Sequence, residues 1–178
     1  MFTVDEACLV VIDVQGKLAT MVDQSGEVIQ NVSKLVQAMK ALEVPIFWLE
    51  QNPSRLGGTA LDIAQHMQGQ PIAKMAFSAW NEPEFMDAVK ASGRTKFIIT
   101  GIETHICVYQ TARQLKEQGF EVEVVEDAVS SRTKANKEIG LKKMQALGIL
   151  PTCTEMILYE LLQRADHEHF KTVLKLVK

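Results

Sequence analysis

The chain predicts an α/β fold: a doubly wound, six-stranded parallel sheet with helices on both faces, a Rossmann-like three-layer arrangement. Three observations carry this. Apolar runs alternate with stretches of helical periodicity from one end of the sequence to the other. The runs are apolar on both faces, as strands covered by helices on each side must be. With 178 residues and no repeat, low-complexity tract or linker, the chain suits one domain spanning 1–178. Right-handed crossovers wind such a sheet outward from its middle, and ligands bind beyond the carboxyl ends of its strands.

Each element has its own signal. "ACLVVID", Ala7 to Asp13, is an unbroken apolar strand ending in an acid. Val28, Val32, Leu35, Val36, Met39 and Leu42 then lie on one helical stripe. "VPIFWLE", Val44 to Glu50, is the second strand, with Pro45 at its start, where no ladder donor is needed. "NPSRLGGT" reads as a loop, and Thr59 is placed to cap a short helix over Ala60 to Met67. "PIAKM" is a short third strand, and Pro83 opens a helix over Glu84 to Ala91. "TKFIITG" and "FEVEVVED", Phe120 to Asp127, are the fourth and fifth strands, flanking a helix that begins near Thr104. Ala135 to Leu147 is a helix closed by Gly148, and "ILPTC" is the sixth strand. Two helices follow, Glu155 to Arg164 and His167 to Val177.

Composition narrows the function. A formal charge of -3 and the lack of a dense Lys/Arg run give no electrostatic case for nucleic acid. No apolar stretch reaches membrane-span length, and "MFTVDEACLVVID" puts acids ahead of its apolar run, unlike a secretory signal. Three well-separated cysteines, Cys8, Cys107 and Cys153, without CxxC, point to reduced thiols in a cytoplasm. "DVQGKLAT" after the first strand has neither GxGxxG nor GxxxxGK[ST], so a nucleotide cofactor is not expected.

At the strand ends stand an acid, a base and a thiol: Asp13, Lys74 and Cys107. Each alone would usually be a turn, solvated or packing residue; together on one rim they form a set with chemical use. If Thr104 is the N-cap, Cys107 lies in the first helical turn, where unsatisfied N–H groups and the helix dipole favour a thiolate. Nucleophile and oxyanion donor would then come from one residue.

"VVIDVQ" (Val10 to Gln15), "KMAFSAW" (Lys74 to Trp80) and "GIETHICVYQTA" (Gly101 to Ala112) resemble, in order and spacing, the isochorismatase-like cysteine hydrolase superfamily. Further stretches, such as "LEQNPSRLGGT", look like its branch of isochorismatase-domain-containing proteins. The resemblance implies a catalytic triad of Asp13, Lys74 and Cys107. In it the cysteine forms a thioester, the aspartate takes the thiol proton and the lysine gives electrostatic support. It also implies a cis peptide at Ile102–Glu103 and an oxyanion hole from the backbone of Glu103 and Cys107. Asp13 would raise the thiol pKa and Lys74 and the helix end oppose this, leaving a proton shared near neutral pH. One tension follows from the expected strand order 3-2-1-4-5-6: Lys74 starts two strands from Asp13, roughly 10 Å away.

The metal-binding Asp-x-His pattern of nicotinamidases is missing from "LEQNPSRLGG", and Asp62 with His66 fits a solvated helix face, so neither metal nor cofactor is expected. Isochorismatases that cleave an enol ether lack the cysteine. Gln15, Gln51, Asn52 and Arg55 are candidate hydrogen-bonding groups for a small-molecule substrate, and Phe77 and Trp80 are candidate walls, with core packing an equal reading for the two rings. His105, two residues before Cys107, faces elsewhere on a helix. Cys8 and Cys153 read as packing residues. The leading expectation is a hydrolase of small amide-, ureide- or ester-like substrates. The alternatives are a non-catalytic binding protein on the same fold and an enol-ether hydrolase. Phe170, Val173, Leu174 and Val177 make a stripe that either packs on the sheet or joins copies in the homo-oligomer, dimer or larger, that the resemblance implies.

Overall fold

The first strand, β1 (Ala7–Ile12), is buried along its whole length, which only a central strand covered on both faces can be. The computed structural model describes residues 1–178. Five further strands flank β1: β2 (Ile46–Gln51), β3 (Ile72–Lys74), β4 (Lys96–Ile102), β5 (Glu121–Ser130) and β6 (Leu150–Thr152). All pairings are parallel, in the order β3-β2-β1-β4-β5-β6. The winding reverses between β1 and β4, so the carboxyl ends of these two strands flank the crevice where a ligand is expected.

The helices are α1 (Gly16–Met21), α2 (Ser25–Ala41), α3 (Pro53–Leu56), α4 (Leu61–Ala64), α5 (Pro83–Ser92), α6 (Tyr109–Glu117), α7 (Lys134–Ala146), α8 (Thr154–Leu162) and α9 (Phe170–Val177). The strand period of two divides the core. Leu9 and Val11 pack under α2, α8 and α9 with Leu35, Met39, Ile157 and Val173, while Cys8, Val10 and Ile12 face Phe47, Phe85, Phe97 and Leu115 on the other side. Each fully buried aliphatic or aromatic side chain contributes about 1.5–3 kcal/mol. Phe47, Phe85, Trp80, Phe120 and Phe97 form a continuous aromatic row with neighbouring centroids 4.8–6.5 Å apart.

Three local readings change, and one of the two readings of the carboxyl-terminal stripe is seen. Helix α1 is too short for periodicity to announce it. Strand β5 runs on to Ser130 because Asp127 does not end it: its carboxylate accepts from the N–H and hydroxyl of Thr154, at 2.8 and 2.9 Å, and so holds the start of α8. Thr59 does not cap α4. Its hydroxyl donates to the buried Glu50 carboxylate and accepts from Trp48 Nε1, both at 2.7 Å, pinning the loop to β2. The carboxyl-terminal stripe packs on the domain itself: Val173 is buried, and Phe170 meets Tyr159 edge-on at 6.2 Å.

Candidate active site

Asp13 follows β1 with φ 52°, a left-handed conformation that Asp adopts more readily than branched residues. Lys74 ends β3, in register with Gln51 of β2. Its side chain runs along the rim past Gln51, and Nζ lies 2.7 Å from Asp13 Oδ2, with both side chains at most 2% exposed. The two-strand gap is thus spanned by the lysine stem. Nζ also donates to Gln51 Oε1 at 2.6 Å and approaches the carbonyls of Phe77 and Ala76 at 3.2 and 3.3 Å. Four oxygens surround three N–H bonds, which is the full satisfaction a buried ammonium needs.

Asp13 Oδ1 is buried with no hydrogen-bond partner. The Cys107 thiol neighbours this carboxyl, and each acts on the other's proton affinity. Burial raises the Asp13 pKa from its ordinary value, against the charge and hydrogen bond of Lys74. Burial also pushes the Cys107 thiol up to about 12, helped by the Asp13 charge and opposed by Lys74. This corrects the expected balance: desolvation outweighs Lys74, and the resting sulfur carries its proton.

The turn carrying Cys107 also differs from expectation. Residues Thr104–Val108 form a π-helical turn whose N-cap is Glu103, with the Val108 N–H reaching the Glu103 carbonyl at 3.3 Å. The preceding Ile102–Glu103 peptide is cis. Glu103 is buried, and its carboxylate accepts from Arg132 N at 2.8 Å and Arg132 Nε at 3.2 Å, tying this turn to the end of β5. His105 Nδ1 pairs with Ser131 Oγ at 2.9 Å, away from any dyad with the cysteine. Helix α7 presses on the same turn: a Cβ on Gly140 would sit 3.0 Å from backbone atoms of Thr104 and His105.

The candidate substrate contacts divide. Gln15 is corrected: it is fully enclosed, its Nε2 donating to the Gly57 and Gln51 carbonyls and its Oε1 accepting from Gln51 N, so no part of the amide is left for a ligand. Trp80 is half-buried, its ring meeting Phe85 and Phe120 edge-on in the aromatic row. Gln51 is committed to Lys74 and to the Met75 carbonyl. Asn52 keeps its N–H on the Lys74 carbonyl, and its Oδ1 accepts from Ser54. Phe77 is 56% exposed at the rim, free to wall a ligand, and Arg55 is exposed on α3. Sequence reasoning missed the Glu103–Arg132 clamp, because nothing in the motif names a partner 29 residues away.

Nowhere do three His, Cys, Asp or Glu side chains converge on a point where an ion would be held. A surface cavity of 470 Å³ lined by Asp127, Thr152, Cys153 and Met156 is separate from Asp13, Lys74 and Cys107. Cys107 is buried, with 7% of its surface exposed.

The Isochorismatase domain profile matches residues 7–156. The Secreted isochorismatase effector Isc1 of Phytophthora sojae (strain P6497) is 35% identical over 175 residues, covering 96% of this chain and 83% of its own length. The solved MAR1 Ribonuclease from Caenorhabditis elegans is 34% identical with a TM-score of 0.93, over 99% of this chain and 91% of that one. YcaC from Pseudomonas aeruginosa, solved with hexane-2,5-diol and covalent acrylamide, shares the fold at 24% identity and a TM-score of 0.91, over 98% and 90% of the two chains.

Proposed function

The chain belongs to the isochorismatase family, and on that premise we propose that it is a cysteine hydrolase of small amide-, ureide- or ester-like substrates, with Cys107 as the nucleophile. One observation carries the reading: the buried Asp13 carboxyl has Oδ2 held by Lys74 and Oδ1 unpaired, with the Cys107 thiol as its neighbour. As sulfur attacks the carbonyl carbon, its proton passes to Asp13 Oδ1. The backbone N–H groups of Glu103 and Cys107 receive the oxyanion, a contribution of roughly 10²–10³ in rate per donor. The tetrahedral intermediate collapses to a thioester, and Asp13 returns the proton to the departing amine or alkoxide. Water then attacks the thioester carbon, gives a proton to Asp13, and the acid leaves as the thiol re-forms. The raised Asp13 pKa suits a group that takes and gives a proton in each cycle. Lys74, with every N–H committed, acts through Asp13 and not on the substrate.

No helix is long and apolar enough to cross a membrane. A cytoplasmic, self-associating enzyme that needs no metal completes the proposal.

The test has two parts. Acrylamide, the covalent ligand of the Pseudomonas neighbour, should mark Cys107 ahead of Cys8 and Cys153 by peptide mapping. A panel of small amides, ureides and esters, acid-quenched for mass spectrometry, should then give an acyl adduct on Cys107. Turnover should be lost in both Cys107→Ala and Asp13→Asn. Activity that survives Cys107→Ala, whether enol-ether hydrolysis or cleavage of RNA like the nematode neighbour's name suggests, would end the covalent reading.

A further inference from the structure

The shortest contact on the Lys74 ammonium is with Gln51, whose Oε1 lies 2.6 Å from Nζ, against 2.7 Å for Asp13 Oδ2. The amide's orientation follows from chemistry. Its Nε2 donates to the Met75 carbonyl at 2.9 Å, and only its oxygen can face an ammonium. Gln51 is itself gripped: Gln15 accepts from its backbone N–H at 2.7 Å and donates to its carbonyl at 3.2 Å. Gln15 is fixed in turn by the Gly57 carbonyl at 2.7 Å. A chain of uncharged amides thus runs from the α3 loop to the ammonium.

We infer that Gln51 is a positioning residue of the catalytic site, holding the Lys74 ammonium on Asp13 Oδ2 so that Oδ1 alone is left to exchange protons with Cys107. The inference rests on the Cys107 hydrolase reading. Without the amide, Nζ keeps one close acceptor and two carbonyls beyond 3 Å, so the lysine is free to leave Asp13. The amide must also be neutral. A carboxylate in its place would draw the ammonium off Asp13 by charge. Other ionisable neighbours are engaged elsewhere: Glu50 with Thr59, Glu103 with Arg132, His105 with Ser131. Beyond burial, the charge and hydrogen bond of Lys74, the thiol of Cys107 and the backbone of Gln51 are what act on the Asp13 carboxyl.

Carbon-13 NMR of the Asp13 carboxyl, assigned by its loss in Asp13→Asn, reads the inference directly. In Gln51→Met the ammonium loosens, and the Asp13 midpoint should rise by on the order of one pH unit. In Gln51→Glu a second carboxylate shares the ammonium, and the midpoint should rise as well, which keeps the test open if the methionine variant does not fold. A wild-type midpoint in the folded variants overturns the inference, because a purely structural role or a substrate contact would lower melting temperature or affinity and leave that titration alone. Failure of the hydrolase reading is seen separately, as wild-type protein that forms no adduct on Cys107 while the midpoint still moves in the variants.

Discussion

Replacing Lys74 by methionine keeps most of the stem and removes the charge, which isolates the worth of the ion pair. The pair is enclosed, with side-chain exposures of 0% and 2%. Removing one partner from such a pair leaves an uncompensated buried charge and costs about 3–5 kcal/mol. At about 2–4 °C per kcal/mol for a domain of this size, the melting temperature should fall by roughly 6–20 °C. The double variant Asp13→Asn with Lys74→Met should recover most of the loss or exceed wild type, because swapping both charges for neutral groups is neutral to about 4 kcal/mol stabilising. Asn tolerates the φ of 52° at this position, so the second change adds no backbone cost.

The pH dependence has a definite sign. The Asp13 pKa is raised in the folded protein, so its protonated form favours folding. Its contribution is complete below the ordinary carboxylate range and is lost as pH rises through the folded value. Removing Lys74 raises that value further. The deficit of Lys74→Met should therefore be full at neutral pH and shrink below about pH 4. Urea unfolding followed by tryptophan fluorescence at the two pH values measures it. A single variant as stable as wild type at neutral pH, or a double variant as damaged as the single, would refute the picture of a desolvated ion pair.

Three further outcomes are expected. In Asp13→Asn the charge that helps burial raise the Cys107 thiol is gone while Lys74 stays, so the pH profile of iodoacetamide labelling at Cys107 should inflect at lower pH than in wild type; an unchanged inflection contradicts the assignment. Gly140→Ala puts a methyl 3.0 Å from the Thr104 and His105 backbone, displacing the cysteine turn by tenths of an ångström, and should cost roughly three- to tenfold in adduct formation at Cys107 with the fold retained by circular dichroism. Gly101→Ala meets the Ile12 carbonyl oxygen at 2.0 Å with φ 112°, and should yield no soluble folded protein on expression, a loss larger than about 4 kcal/mol.

The strand order and the placing of Asp13 and Lys74 at one rim were legible because apolar runs and rim residues are local signals. What surrounds those residues was not. Gln15 looks like a free polar group in the sequence, yet its amide is spent on backbone atoms brought in by the α3 loop. Thr59 has the composition of a helix cap, but a buried carboxylate nine residues back in the sequence, Glu50, claims it first. The degree to which the fold closes over Cys107 decides its protonation, and burial is a property of the whole assembly of layers that no motif spells out. Only the local parts of the argument, strand, turn and residue type, can be read before the chain is folded.

The wide turn at Thr104–Val108 ties the chemistry to the architecture in a second way. Helix α6 continues directly from it and presents Thr111, Ala112 and Leu115 to the sheet. Trimming one residue to restore ordinary pitch would spin everything downstream by about 100°. The oily flank of α6 would swing toward water while the sulfur changed direction. The length of that loop of backbone is consequently locked from both sides, by what the crevice needs and by what the interior will accept.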